Sequence, residues 1–381
     1  MPISHRTRSL FPFAATSVSM LGALALPVCA DTPVSASPAN RLTLTASMSV
    51  ERAVHTATTL PDGRALIAGG FTSEQRAQFS AELYDPRTSR FSPLPRMITV
   101  RHSHTATMLP NGKVLIAGGF ASANEPVAAA ELFDPATGTF APTASLRAAR
   151  AGHIAVLLTS GKVLIAGGVG PNWSFLSSAE LYDPATGQFT PTSAMSVTRE
   201  SHIAVRLRDG RVLIAGGHSG RRAGITLYSS AEIYDPATAA FTRVGDMRVR
   251  RHKHDAVLLR DGRVLINGGA DERDDEGVYS TTELFDPGTG TFTPGPSMRR
   301  GRYKHFGSSV LLPDGVVLIA GGAPEAETYD PARGAFAIVD SDARMAGQFP
   351  AVTALGAGKV LITGGYGNGG GPRSSAWLYT P

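Results

Sequence analysis

Six arginines each stand three residues ahead of a histidine: Arg52/His55, Arg101/His104, Arg150/His153, Arg199/His202, Arg251/His254 and Arg302/His305. Six glutamates follow at the same rhythm: Glu82, Glu131, Glu180, Glu232, Glu283 and Glu327. Imidazoles and carboxylates suggest metal, but a zinc or copper centre wants three or four ligands converging at about 2 Å. A residue that recurs once per repeat is spread around whatever the repeats build. The set therefore reads as framework, and no metal or cofactor is expected. One unit breaks the pattern: Met345-Ala346-Gly347-Gln348-Phe349 replaces the Arg-x-x-His, and Trp377 replaces the Glu. Joint loss of Arg and Glu suggests that they form ion pairs, because an unpartnered buried charge is costly.

The elements that must carry these residues repeat seven times. Gly-Gly pairs begin at Gly69, Gly118, Gly167, Gly216, Gly268, Gly321 and Gly364, spaced by 49, 49, 49, 52, 53 and 43 residues. Each unit reads as four strands. The first, such as 55–60, runs into a turn at Asp62-Gly63, where glycine accepts a positive φ. The second is an apolar run ending in Gly-Gly, such as Val163-Leu164-Ile165-Ala166, suited to burial on both faces. The third, such as Ala179-Glu180-Leu181-Tyr182, precedes an Asp-Pro turn, and the outer strand carries Phe91, Phe140, Phe189, Phe241, Phe292 or Phe336. Four antiparallel strands with tight turns per unit make a propeller blade.

These features resemble the kelch repeat over residues 40–381: the Gly-Gly, the aromatic before Asp-Pro and the outer-strand aromatic, here Phe where that family usually has Trp. The stretch from Leu60 to Gly70 is similar to the propeller of galactose-oxidase-like proteins and of secreted bacterial kelch proteins. The resemblance implies an all-β, seven-bladed kelch-type propeller. It leaves function open, since such propellers host both enzymes and binding modules. Galactose-oxidase chemistry needs copper, tyrosine and histidine ligands, and a tyrosine crosslinked to cysteine. The chain has one cysteine, Cys29, and no further domain is expected after Pro381, so the likeness is expected to stop at the propeller.

Residues 1–30 read as an export signal: Arg6 and Arg8, then a mostly apolar stretch ending at Val28-Cys29-Ala30. Cleavage after Ala30 is expected, giving a secreted or periplasmic protein. Lipidation at Cys29 is the lesser alternative, because Val28 is a poor residue before a lipidated cysteine. The mature chain would then have no cysteine and no disulfide. Residues 31–39 read as a flexible lead-in. Losing two arginines takes the formal charge from +5 to +3, too weak for nucleic acid. The mature chain is expected to lack a transmembrane helix and to be a monomer.

Residues that break the repeat carry the functional information. The loops after Gly-Gly vary most, and they share a face with the starts of the first strands. Loop 169–177 carries Trp173 and Phe175, and loop 218–229 carries Arg221, Arg222 and Tyr228. Loop 270–280 carries Asp271, Asp274, Asp275 and Tyr279, and loop 366–374 carries Tyr366, Asn368 and Gly369-Gly370-Gly371. Aromatics and arginines on such loops suit recognition. The acidic run lacks a calcium-loop pattern and reads as solvated. The fourth and fifth loops are long, 15 residues from Gly217 to Glu232 and 14 from Gly269 to Glu283, against 12 in the first three units. The sixth, Gly322 to Glu327, is short and should leave an opening beside them. The expected function is an exported, non-catalytic module binding a protein or glycan on this face. The alternative is a carbohydrate-active enzyme, a sugar mutarotase or a galactose-oxidase-like protein. That alternative requires converging, non-repeated polar groups with shifted pKa values at the channel mouth. Finally, the seventh unit lacks its outer strand, and residues 42–52 match one in register, so the N-terminal strand should pair with 375–379 and hide that edge.

Overall fold

Each unit folds into a four-stranded antiparallel sheet in which sequence neighbours pair, as in Ile154–Leu157, Val163–Ala166, Ala179–Asp183 and Gln188–Pro191. The computed structural model describes residues 40–381 except 75, 122–124, 342, 343, 346, 368 and 369, and only the backbone of Arg222. The export signal, the lead-in, Cys29 and Asn368-Gly369 lie outside the described residues. Seven sheets form a closed ring: the inner strands lie side by side around the axis, and Ala351–Ala354 of the seventh lies beside Thr56–Thr59 of the first. The protein is an all-β, seven-bladed propeller.

The second strands explain the cohesion. Side chains alternate along a strand, so a run apolar at every position feeds two interfaces. Leu66 and Ala68 pack with Val114 and Ile116 of the next blade, while Ala65 and Ile67 pack with Leu361 and Ala376 of the seventh. Outside them, the aromatic before Asp-Pro faces the outer-strand Phe in register, Tyr182 opposite Phe189 with ring centroids 4.8 Å apart.

The arginines and glutamates clamp each blade to its incoming segment. Arg150 Nη2 lies 2.9 Å from Glu180 Oε1, and its Nη1 donates to the carbonyl of Gly167 at 2.8 Å. Glu180 Oε2 in turn accepts the N–H of Arg147 at 2.7 Å. All six pairs recur at 2.8–3.1 Å with both side chains buried. The seventh blade replaces the ion pair with apolar packing of Met345 and Trp377. Arg150→Ala should therefore cost about 3–5 kcal/mol, because it strands a buried carboxylate, and the double change Arg150→Met/Glu180→Leu should cost much less. Chemical denaturation of the three proteins checks this; equal losses in single and double variants would contradict it.

Ring closure uses the N-terminal strand. Arg41–Leu44 pairs antiparallel with Ala376–Thr380, placing Leu42 opposite Tyr379 where other blades place Phe. Asp340–Ser341 adds a short parallel strand outside it.

Candidate functional site at the channel mouth

Gly-Gly is where the framework makes room for the histidines. A Cβ on Gly118 would lie 2.7 Å from His153 Cε1 of the next blade, and one on Gly119 would lie 2.8 Å from His104 Cβ of its own blade. The histidines thus pack beneath glycines, four of them on hydroxyl partners: His104 Nε2 meets Thr56 Oγ1 at 3.1 Å, and His153 Nε2 meets Thr105 Oγ1 at 3.0 Å. Burial pushes their pKa values down, to about 3 for His153 and His305, so they stay neutral. Among the described residues, no three of His, Cys, Asp and Glu are placed to hold a metal ion.

Shortly before each inner strand, two residues ahead of it in six blades and five ahead in the sixth, the chain turns at the channel mouth. Val54, Ser103, Gly152, Ser201, Lys253, Lys304 and Phe349 occupy one equivalent position, all with φ between +52 and +61. Six of the seven are not glycine, and Val54 is β-branched, so this is real backbone strain at a site. Backbone hydrogen bonds hold it: Ser103 N–H donates to Val54 O, Gly152 to Ser103, Lys253 to Ser201, Lys304 to Lys253, Phe349 to Lys304 and Val54 to Phe349, at 2.7–3.3 Å. Six of these seven positions, all but Lys304, line a cavity of about 480 Å³ that continues down the inner strands.

The side chains on this ring and just outside it are not repeated. On blades one to three they form an aromatic arc. His102 lies between Phe71 (5.0 Å) and Phe120 (5.4 Å), and Phe120 lies 5.6 Å from Trp173. Blades four to seven form a polar arc. Glu200 Oε2 accepts from Ser201 Oγ at 2.9 Å and lies 3.2 Å from His218 Nε2. His218 Nδ1 and His252 Nδ1 are 3.2 Å apart, His252 Nε2 is 3.1 Å from Asp274 Oδ1, and Lys253 Nζ donates to the same oxygen at 2.8 Å. Lys304 Nζ donates to Gln348 Oε1 at 3.2 Å and sits 4.5 Å from the centre of the Tyr303 ring. No carboxylate lies within ion-pair distance of Lys304 among the described residues.

Burial shifts these groups strongly. It raises Glu200, lowers His218 to about 3 with help from His252 and Lys253, and lowers His252 and Lys304. Asp274 goes the other way, held well below the carboxylate range by His252 and Lys253. Tyr303 is pushed up by burial and by Asp274. Beside this arc, a cleft of about 660 Å³ opens between blades six and seven, lined by Lys304, Gln348, Phe349 and Tyr366, where the sixth loop is short.

The candidate binding residues divide by position. Asp274 and Tyr366 reach the mouth. Trp173 and Arg221 stand on its rim, stacked on each other, the guanidinium 3.5 Å from the centre of the indole, and Phe175 lies 5.6 Å from His218. Tyr228 and Tyr279 are part of the framework: each lies 5.5 Å from a buried arginine, Arg199 and Arg251. Asp271 is taken by Arg273 at 2.6 Å, and Asp275 is exposed. The loop reading missed Glu200, His218, His252, Lys253, Tyr303, Lys304 and Gln348. Their signal was the variable x-x within Arg-x-x-His and the residue after Gly-Gly, positions framed by the repeat itself.

The comparisons agree with the fold. The kelch motif matches residues 52–98, 150–196 and 201–248. No curated protein matches the sequence. Among solved structures, a fungal alcohol oxidase of the AA5 family, in complex with copper, is similar in fold, with a TM-score of 0.72 at 17% identity over 90% of this chain and 76% of that one. Three of its seven closed blades match the kelch motif, and the chain is a seven-bladed β-propeller that contains kelch repeats.

Proposed function

We propose that the protein binds a small carbohydrate at the channel mouth, the protein having been exported after cleavage near Ala30. One observation carries this: around the mouth, an aromatic arc on blades one to three (Phe71 and the exposed Trp173, backed by the buried His102 and Phe120) is followed by a polar arc on blades four to seven (Glu200, Asp274, Lys304, Gln348). A sugar has the same division, an apolar C–H face and a hydroxylated edge. The copper of the alcohol oxidase does not carry over. The facing nitrogens of His218 and His252 share a hydrogen bond, and no three of His, Cys, Asp and Glu are placed to hold a metal ion among the described residues.

The chain has two tryptophans, Trp377 buried and Trp173 39% exposed on the rim, so intrinsic fluorescence reports the mouth. A bound sugar is expected to shift the emission, and Trp173→Phe should abolish the shift. Replacing Trp173, Arg221 and Lys304 with alanine should weaken retention on a glycan array at least tenfold and change Tm little, since Trp173 and Arg221 are exposed and Lys304 is half-buried with no ion-pair partner among the described residues. Unchanged retention by the triple variant would move the site elsewhere. The N-terminal mass of the protein recovered from its cell checks the export step. The converging polar arc supports a second reading, an acid–base enzyme acting on the bound sugar. Proton NMR separates the two, since a binder leaves the anomers of its ligand exchanging at the buffer rate.

A further inference from the structure

The inner strand of the sixth blade departs from the repeat in length. From the histidine to the glycine of the first turn is 8 residues in blades one to five, and 10 in the sixth, His305 to Gly315. Taking out Phe306-Gly307 lines up Ser308-Ser309-Val310-Leu311-Leu312 with Asp255-Ala256-Val257-Leu258-Leu259 of the fifth blade, so these two residues are an insertion. The strand accordingly begins late, at Ser309. The fifth blade is built to hold the insertion. Asp255 stands where blades one to four have Thr56, Thr105, Ile154 and Ile203. Its carboxylate is buried and accepts three backbone N–H groups: Gly307 at 2.9 Å, Ser308 at 2.9 Å and Ser309 at 2.7 Å. Asn267, paired in register with Asp255, replaces the alanine of blades one to four and donates from Nδ2 to Ser309 Oγ at 3.0 Å. A buried carboxylate is costly unless it is hydrogen-bonded, and these three donors satisfy it. The chain turns at Gly307, with φ +61, and Ser308 N–H closes the turn on His305 O at 3.2 Å. Two repeat-breaking residues of one blade thus match two inserted residues of the next. Extra residues that re-aim a strand in this way are over-represented beside active sites.

The insertion forms part of the cavity wall. Phe306 and Gly307 are what the sixth blade contributes to the lining of the channel cavity, and a Cβ on Gly307 would meet nothing within 4 Å. Phe349 of the seventh blade lines the same cavity, and the fourth and fifth blades bring Glu200, Ser201 and Lys253 to it. We propose that Phe306 is a specificity-determining residue: the insertion, held by Asp255 and Asn267, gives the cavity an aromatic wall on which the apolar face of a sugar ring stacks, with its hydroxyls toward Glu200, Ser201 and Lys253. This rests on the mouth being the ligand site and extends that site from the rim into the channel. The class selected is a pyranose with one continuous C–H face, because a ring with polar groups on both faces would bury hydroxyls against Phe306. Asp255 and Asn267 are positioning residues, acting through the insertion.

Three measurements on the full chain test this. Deleting Phe306-Gly307 alone strands the Asp255 carboxylate and should lower Tm by about 5–10 °C. The same deletion with Asp255→Thr and Asn267→Ala restores the ordinary blade and should recover most of that loss. Equal Tm values for the two deletion proteins would overturn the matched construction. Phe306→Cys should react with N-ethylmaleimide in the folded protein, with peptide mass spectrometry separating this label from Cys29. A thiol that reacts only on unfolding would take Phe306 out of the wall. On the glycan array, Phe306→Tyr should be retained like wild type and Phe306→Ala about tenfold more weakly, with Tm little changed. Equal retention of wild type and Phe306→Ala would overturn the specificity role. A wild type that retains no glycan would sink the sugar reading and the stacking with it, while labelling and melting still decide whether the insertion is a built wall of the cavity.

Discussion

Lowering the pH from 7.5 to 5 is expected to unfold this protein cooperatively, with uptake of several protons. Six repeated histidines lie buried and neutral beneath glycines, each beside a buried arginine. The unfolded chain protonates them near 6.5, whereas the fold holds His153 and His305 down to about 3 and the others also well below 6.5. The folded values are depressed, so the neutral ring is what the fold stabilises. That contribution is fully present above pH 6.5 and is lost as pH falls from 6.5 toward 3. One pH unit below 6.5 costs about 1.4 kcal/mol per histidine, or roughly 8 kcal/mol for six, against a typical domain stability of about 5–15 kcal/mol. Surface aspartates with lowered values, such as Asp85 at about 2, add to acid lability only below about pH 4, a separate window. Circular dichroism melts across pH 4.5–8 provide the measurement. A Tm that stays level from pH 7.5 to 5 would show that the rings are solvated or already charged in the fold.

Deleting residues 40–50 should be nearly as damaging. The deletion removes Arg41–Leu44 from the seventh sheet, together with Leu42 (0% exposed) and Met48 (4%). Two buried side chains contribute about 1.5–3 kcal/mol each, and several inter-strand hydrogen bonds about 1 kcal/mol each, for a loss of roughly 5–8 kcal/mol. The edge left on Ala376–Thr380 would also invite pairing with other chains, so aggregation should accompany the lower Tm. A permutant carrying residues 40–52 after Pro381 should recover the stability, because the strand would then continue its own blade. A deletion variant that melts like the intact protein, or a permutant that fails to recover, would mean that the ring is closed by something else.

The blade was legible from the sequence because its rules are local and were written seven times. Asp-Gly specifies a positive φ, an unbroken apolar run specifies burial on both faces, and Arg, Glu and their joint loss at Gly347 and Trp377 specify an ion pair and its apolar substitute. Even the long-range pairing of Leu42 with Tyr379 followed, because the repeat phase identified a strand without a blade and a blade without a strand. The site was not legible in the same way. Glu200, His218, His252 and Asp274 come from four separate stretches, and each looks like ordinary variation at its position. Glu200 meets His218 and His252 meets Asp274 within single blades, and closure of the ring brings His252 of the fifth blade against the post-Gly-Gly His218 of the fourth, across 34 residues of chain. Closure also stacks Arg221 on Trp173 of the preceding blade, while Tyr228 and Tyr279 lie over the buried arginines of their own blades, which separates rim from framework among side chains of the same type. Periodicity determines which residues face the axis; which of them touch depends on the angle between neighbouring blades, and only the closed ring sets that angle.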